Sequence, residues 1–249
     1  MSPDNALRTA LITGGGAGIG AAITRVLQRE GIRCIITGRS SERPEGLNEE
    51  TGYLPLDYLV PESVETAFPE LRDTIRPDIV VNNAGINNKS AFGDVAAEQL
   101  EQTIAVNLTG PYRLTQACLP HMVEQSWGRI VNISSIWSVS GNPGNTSYCA
   151  SKFGVDGFTV SLAAEVARKG VLVNCIAPGY IMSEVLRKKY SAEDIEDITK
   201  YIPIRRMGEP EEIAELAAWL VSARNTYVTG QNICADGGLS RTSQPWREW

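Results

Sequence analysis

Hydrophobic positions along this chain alternate between two spacings. Short, nearly continuous apolar runs occupy residues 9–13 (TALIT), 33–37 (RCIIT), 53–57 (YLPLD), 78–82 (DIVVN), 129–134 (RIVNIS), 171–178 (VLVNCIAP) and 232–238 (NICADGG). Continuous rather than every-other-residue hydrophobicity marks strands buried on both faces, as in a parallel sheet. Between the runs, apolar residues return at helical spacing over 18–30, 62–75, 98–125, 148–169 and 210–223. Strand and helix in strict alternation imply right-handed crossovers and an α/β fold: a doubly wound, Rossmann-type parallel sheet of seven strands with helices on both faces. Seven strands consume the chain, so residues 1–249 read as one domain. The stretch 39–52 is polar, with Pro44 and Gly46, and predicts at most a short helix. Residues 183–208 are charged and lack a strand, which predicts a mobile substrate-loop insertion. The tail 240–249 carries Trp246 and Trp249, and two indoles there predict docking on this subunit or a neighbour.

Composition adds limits rather than direction. With 43% hydrophobic and 21% charged residues the chain is ordinary globular protein. A net charge of −6 argues against nucleic acid or an anionic membrane as partner, since both need basic surface. Five cysteines without a C-x-x-C pair read as buried thiols in a reducing compartment. The first residues read as a strand rather than a signal peptide, and no apolar run reaches membrane-spanning length. A cytoplasmic location is expected.

Candidate chemistry starts after the first strand, at TGGGAGIG (13–20). Glycines let backbone N–H groups approach a pyrophosphate, and the following helix points its positive end at the same anion. The register Gly16-x-Gly18-x-x-Ala21 fits a dinucleotide fingerprint, and its strand-turn-helix context supports it. No G-K-[ST] follows, and the lone His121 offers no metal-ligand spacing. An acidic residue closing the second strand would hold a ribose diol; here Gly38 and Arg39 stand there instead. A guanidinium beside a small residue favours a 2′-phosphate, hence NADP(H) over NAD(H), with Ser40 and Arg43 as possible additions; otherwise Arg39 merely ends a surface strand. Asp57 either caps the turn before Pro61 or accepts from an adenine amino group. In NTSYCASK (145–152) Tyr148 and Lys152 share one helix face, about 6 Å apart. That spacing places an ammonium where it can stabilise a phenolate and lower its pKa.

TGGGAGIG, NNAG (82–85), ISS (133–135) and YCASK (148–152), in that order, with Asn107 in AVNLTG and APGYIMS (177–183), resemble the short-chain dehydrogenase/reductase family over residues 7–240. The resemblance implies a tetrad of Asn107, Ser135, Tyr148 and Lys152 and hydride exchange between a nicotinamide and a carbonyl or secondary alcohol. It implies that Gly14, Gly18 and Gly20 line the pyrophosphate and pack the turn that Gly16 shares, that Ile19 backs the cofactor, and that Asn83, Ala84 and Gly85 wall the adenosine. Pro178, Gly179, Ile181 and Ser183 would meet the nicotinamide carboxamide, although Ser183 stands where Thr is common. Ser135 would hold the substrate oxygen and Asn107 a proton-relaying water. Dimers or tetramers are implied, built on the helices at 98–125 and 148–169.

Within the family the likeness is to 3-oxoacyl-acyl-carrier-protein reductases, which share TGQ…DGG (229–238). An acyl-thioester substrate is therefore expected, or else a small ketone, sugar or alcohol; a cofactor-binding regulator without turnover is the remaining class. Trp137, two residues past Ser135, either walls the substrate or packs. A basic docking patch for an acidic carrier would have to come from Arg129, Arg168 and Lys169, placed near the entrance with segment 121–129.

Overall fold

The computed structural model describes residues 8–183, 187 and 190–241. Six of the apolar runs set the middle layer and a seventh closes its edge. The strands are β1 (Thr9–Ile12), β2 (Arg33–Gly38), β3 (Gly52–Pro55), β4 (Ile79–Asn82), β5 (Gly128–Ile133), β6 (Val171–Pro178) and β7 (Asn232–Ala235). All pairings are parallel, in the order β3-β2-β1-β4-β5-β6-β7. The last run ends as a strand at Ala235 rather than at 238, because a turn begins at Asp236, whose carboxylate accepts the Gly238 and Ser240 N–H groups.

Helices α1 (Gly18–Arg29), α2 (Pro61–Glu70), α3 (Ala97–Ile104), α4 (Gly110–Glu124), α5 (Thr146–Val166), α6 (Ala192–Thr199) and α7 (Pro210–Val221) surround the sheet. One core joins α1 and α7 to one face through Ile23, Leu27, Ile36, Ile213 and Leu220. The other joins α2, α4 and α5 to the opposite face through Val64, Val80, Leu114, Ala163 and Val173. Burying both faces is what the continuous apolar strands require. No helix among the described residues is long and apolar enough to cross a membrane.

Three departures from the sequence pattern have local causes. The helix expected over 98–125 is two helices joined by a π-helical turn, Ala105–Thr109. Pro111 sits in the first turn of α4 and has no N–H to give the Asn107 carbonyl, so the regular ladder cannot run through. The pattern at 62–75 likewise ends in a π turn, Leu71–Ile75, just past Pro69. The substrate-loop segment contains α6, which the charge content concealed. Its start is a capping box: Ser191 Oγ accepts the Asp194 N–H at 3.1 Å, and Asp194 accepts the Ser191 N–H at 2.8 Å. The pattern S-x-x-D was readable. Residues 39–51 form no helix, as their polarity implies. Trp246, Trp249 and their docking lie outside the described residues.

Candidate active site

The chain runs β1, β2, β3 outward and then crosses back to β4, beside β1. At that reversal the loops leaving β1 and β4 diverge and open a crevice at the carboxyl ends of the strands. A cleft of about 360 Å³ lies there, lined by Gly18, Ile19, Asn83, Gly85, Ser135, Tyr148, Lys152, Pro178, Gly179, Ile181 and Ser183, among others. Eleven of the sequence-derived site residues thus meet at one surface. Gly14, Gly20 and Ala84 lie directly behind it: a β-carbon on Gly14 would stand 3.3 Å from the Ala84 α-carbon, and one on Gly20 only 2.4 Å from the Gly14 carbonyl oxygen. Only a bare α-carbon lets α1 begin that close to the turn. Gly16 sits exposed at the tip of the turn.

Thr13 and Asn83 lock the turn to β4. Thr13 Oγ1 accepts the N–H groups of Asn83 (2.9 Å) and Ala84 (3.0 Å), and Asn83 Nδ2 donates to the carbonyls of Thr13 (2.9 Å) and Gly14 (3.2 Å). Thr13 was not singled out from the sequence, although it opens the glycine motif. A hydroxyl at the last position before the turn was the available signal.

Arg39 is exposed at the end of β2. Gly38 has a structural reason beside any cofactor role, since a β-carbon there would meet the Tyr53 hydroxyl at 2.9 Å, and that hydroxyl donates to the Ser40 carbonyl. Arg43 does not extend the charge of Arg39 as expected. Its guanidinium closes the following loop by donating to the Thr51 carbonyl at 2.6 Å and the Asn48 carbonyl at 2.5 Å. Asp57 Oδ1 accepts the Leu59 N–H at 2.9 Å, the capping arrangement of an Asx turn, beyond the end of β3.

At the other end, Ser135 lies just past β5 and Tyr148 in the first turn of α5, and both side chains line the cleft. Ser135 Oγ accepts the Trp137 N–H at 3.2 Å, which caps a short 3-10 turn and fixes the hydroxyl's direction. Tyr148 is half-buried. Its pKa is raised above the ordinary 10.0, chiefly by burial, with the nearby Ser135 hydroxyl opposing. Burial thus outweighs the depression expected from the neighbouring lysine. Lys152 is buried, with Nζ 5.6 Å from the centre of the Tyr148 ring and donating to the Ile133 carbonyl at 2.8 Å. Burial pulls its pKa from 10.5 to about 8, the Cys175 thiol opposing.

Asn107 is buried in the π turn, where its amide pairs with one residue's backbone. Oδ1 accepts the Ile86 N–H at 2.8 Å, and Nδ2 donates to the Ile86 carbonyl at 2.9 Å and to Ser151 Oγ at 3.1 Å. Ser151 Oγ in turn donates to the Tyr148 carbonyl at 2.7 Å. Ser151, also missed from the sequence, therefore ties Asn107 to the helix that carries Tyr148. Trp137 is half-buried and meets Tyr180 edge to face, ring centres 6.4 Å apart. Wall and packing roles are thus both open to it.

The segment 121–129 does not lie at the entrance. Arg129 is the second residue of β5 (Gly128–Ile133), which puts it roughly 20 Å from the Ser135 end. It is buried, donates to the carbonyls of Gly128, Gly170 and Asn225, and stacks on Trp127, so it is no docking charge.

The family model described as enoyl-(acyl carrier protein) reductase matches residues 14–240. The 3-oxoacyl-(acyl-carrier-protein) reductase FabG of Aquifex aeolicus is 39% identical, the match covering 93% of this chain and 97% of that protein. The acetoacetyl-CoA reductase of Cupriavidus necator is 37% identical, over 93% of this chain and 98% of that one. A gluconate 5-dehydrogenase from Burkholderia cenocepacia, solved with NADP and tartrate, superposes with a TM-score of 0.88 at 31% identity, covering 95% of this chain and 96% of that chain. With the glycine turn, Ser135, Tyr148 and Lys152 converging on one cleft, the chain belongs to the short-chain dehydrogenase/reductase family and is an NAD(P)-dependent oxidoreductase of that family.

Proposed function

We propose that the protein reduces a 3-oxoacyl thioester to the 3-hydroxyacyl product with NADPH, in a reducing, cytoplasmic setting. The observation that carries the chemistry is the single cleft shared by the glycine turn and by Ser135, Tyr148 and Lys152. The glycine cradle fits a dinucleotide: Gly20, with no room for a β-carbon against the Gly14 carbonyl, seats the start of α1 hard against the turn, and Gly18 and Ile19 of its first turn line the cleft, where a helix N-terminus suits a pyrophosphate. Gly14, Gly16, Gly18, Ile19 and Gly20 would hold that group, with Asp57, Asn83, Ala84 and Gly85 at the adenosine and Pro178, Gly179, Ile181 and Ser183 at the nicotinamide. Arg39, exposed beside Gly38, would meet a 2′-phosphate, which favours NADP(H). When bound, the nicotinamide supplies the hydride.

The chain's own work is to place a carbonyl and deliver a proton. Ser135 Oγ donates to the substrate oxygen and holds it beside Tyr148. The phenol, kept protonated by its raised pKa, gives its proton to the alkoxide as that forms. Lys152 supplies positive charge beneath the phenolate left behind, and Asn107 keeps the supporting loop and α5 in place. Tyr148→Phe keeps the shape of the site and lacks the proton, so kcat for acetoacetyl-CoA reduction falls by about 10²–10⁴ while NADPH binding persists. Turnover within tenfold of wild type would remove the assignment.

The thioester is supported by the substrates named for the FabG and acetoacetyl-CoA reductase relatives. A sugar-acid substrate is the second reading. It is favoured by the gluconate 5-dehydrogenase likeness. Rates with acetoacetyl-CoA, a 3-oxoacyl carrier protein and gluconate separate the two. Apolar side chains left exposed on α4 and α5 support assembly of two or more subunits.

A further inference from the structure

Beneath the catalytic end of α5 the core contains a chain of polar side chains where apolar filling would be expected. Asn82 on β4 donates through Nδ2 to Thr115 Oγ1 on α4 (3.1 Å) and to Asn132 Oδ1 on β5 (2.7 Å). Asn132 Nδ2 donates to Thr159 Oγ1 on α5 at 2.7 Å, and Cys175 Sγ on β6 lies 3.0 Å from the same oxygen. Asn82, Asn132 and Cys175 are direct neighbours across the three strands, so the chain crosses the sheet as one row. Asn82, Thr115, Asn132, Thr159 and Cys175 are all buried.

Such a row needs a reason, because a well-packed apolar core of the same volume is as stable or more so. The inward face of α5 supplies one. Over its first four turns that face is Ser147, Ser151, Lys152, Val155 and Thr159, nearly all polar. Apolar packing alone therefore leaves the rotation of α5 about its axis weakly determined. Thr159 is seven residues from Lys152, two turns that bring it back to within about 20° of the same face. A bond that fixes Thr159 against β5 fixes the direction of Lys152 and, one turn earlier, of Tyr148.

We propose that the Asn82–Asn132–Thr159 ladder is a positioning device for the proton-delivering pair. It sets the rotation of α5 and with it the placement of the Lys152 ammonium against the Ile133 carbonyl and the Tyr148 ring. Asn132 and Thr159 are positioning residues, not catalytic ones. This rests on the reading of Tyr148 and Lys152 as the proton-delivering pair.

Thr159→Val removes the hydroxyl at constant shape. With acetoacetyl-CoA as substrate, or gluconate oxidation should the thioester be inert, kcat falls about tenfold. The pH midpoint of kcat moves, while the Kd for NADPH by fluorescence stays within about twofold. Thr159→Ser keeps the hydroxyl and restores kcat to within about twofold. Because Thr159→Val leaves the Asn132 amide unpaired, the double variant Asn132→Leu/Thr159→Val, which removes both partners, serves if the single one does not fold. Wild-type kcat in a folded Thr159→Val or double variant overturns the proposal. So does a loss of NADPH affinity with kcat intact, or a Thr159→Ser protein as slow as Thr159→Val. Tyr148→Phe assayed alongside separates the two levels: rapid turnover there removes the proton-delivery reading itself, whatever the ladder variants do.

Discussion

Lys152 sets function against stability within one side chain. Its folded pKa of about 8 lies below the ordinary 10.5 because the ammonium is buried. The unfolded chain therefore holds its proton more tightly, and stability gains from this group as pH rises through roughly 8 to 10.5. Below pH 8 the lysine is charged in both states and the burial penalty is complete. Lys152→Met keeps the stem and deletes the charge. At pH 7 the cofactor-free variant should melt on the order of 5 °C higher, and the gap should close toward pH 10.5, while kcat falls at least 100-fold. Melting curves from pH 6 to 10 decide it; a variant less stable than wild type at pH 7 contradicts the cost. Arg39 makes a second residue-scale prediction. Arg39→Asp removes the charge meant for a 2′-phosphate and offers a carboxylate to a ribose diol. KM for NADPH should rise at least tenfold and that for NADH fall; unchanged preference would mean that Arg39 only ends the strand.

Among the elements, what could be read from the sequence followed from periodicity, and what could not followed from bonds between distant residues. All seven strands and five helical regions were legible, since burial on one face or two leaves a pattern of period 2 or 3.6, or a continuous run. The glycine turn, Ser135, Tyr148 and Lys152 were legible as spaced motifs. The π turn at Asn107 was not, because it records the missing N–H of Pro111 rather than any change in hydrophobicity. Neither were Thr13, Ser151 and Thr159, which look like ordinary small polar residues until the partners that they bond are placed beside them. Arg129 was misplaced for the converse reason: its charge suggested surface, while three backbone carbonyls and an indole hold it inside. The start of α1 provides the test at this scale. Gly20→Ala would force a β-carbon against the Gly14 carbonyl and Asn83 Nδ2, at 2.4 and 2.6 Å. The Kd for NADPH should weaken at least tenfold and Tm should drop, both by calorimetry. Wild-type affinity would show that the turn can relax.

At the scale of the whole molecule, the described chain accounts for its own core but leaves apolar surface on one flank. Phe153 and Val160 on α5 are 48% and 52% exposed, and Tyr112 on α4 is 45% exposed, with the Tyr112 and Phe158 rings 5.1 Å apart. Phe153 and Val160, seven residues apart, share one side of α5, about 100° round the helix from the Thr159 ladder. A stripe of this kind marks an association surface, and a helix pairing with its own copy gives the two-fold contact commonest among oligomers. Covering it would also hold α5 from outside while Asn107, Asn132 and Thr159 hold it from within, so assembly and proton delivery would depend on one helix. Val160→Glu places a charge in the middle of the stripe without touching the cleft. Light scattering at micromolar concentration should find dimers or tetramers for the wild type and monomers for the variant. Turnover per chain should drop with dissociation and recover as protein concentration is raised. A wild type that is already monomeric, or a Val160→Glu protein that stays associated, would place any subunit contact elsewhere.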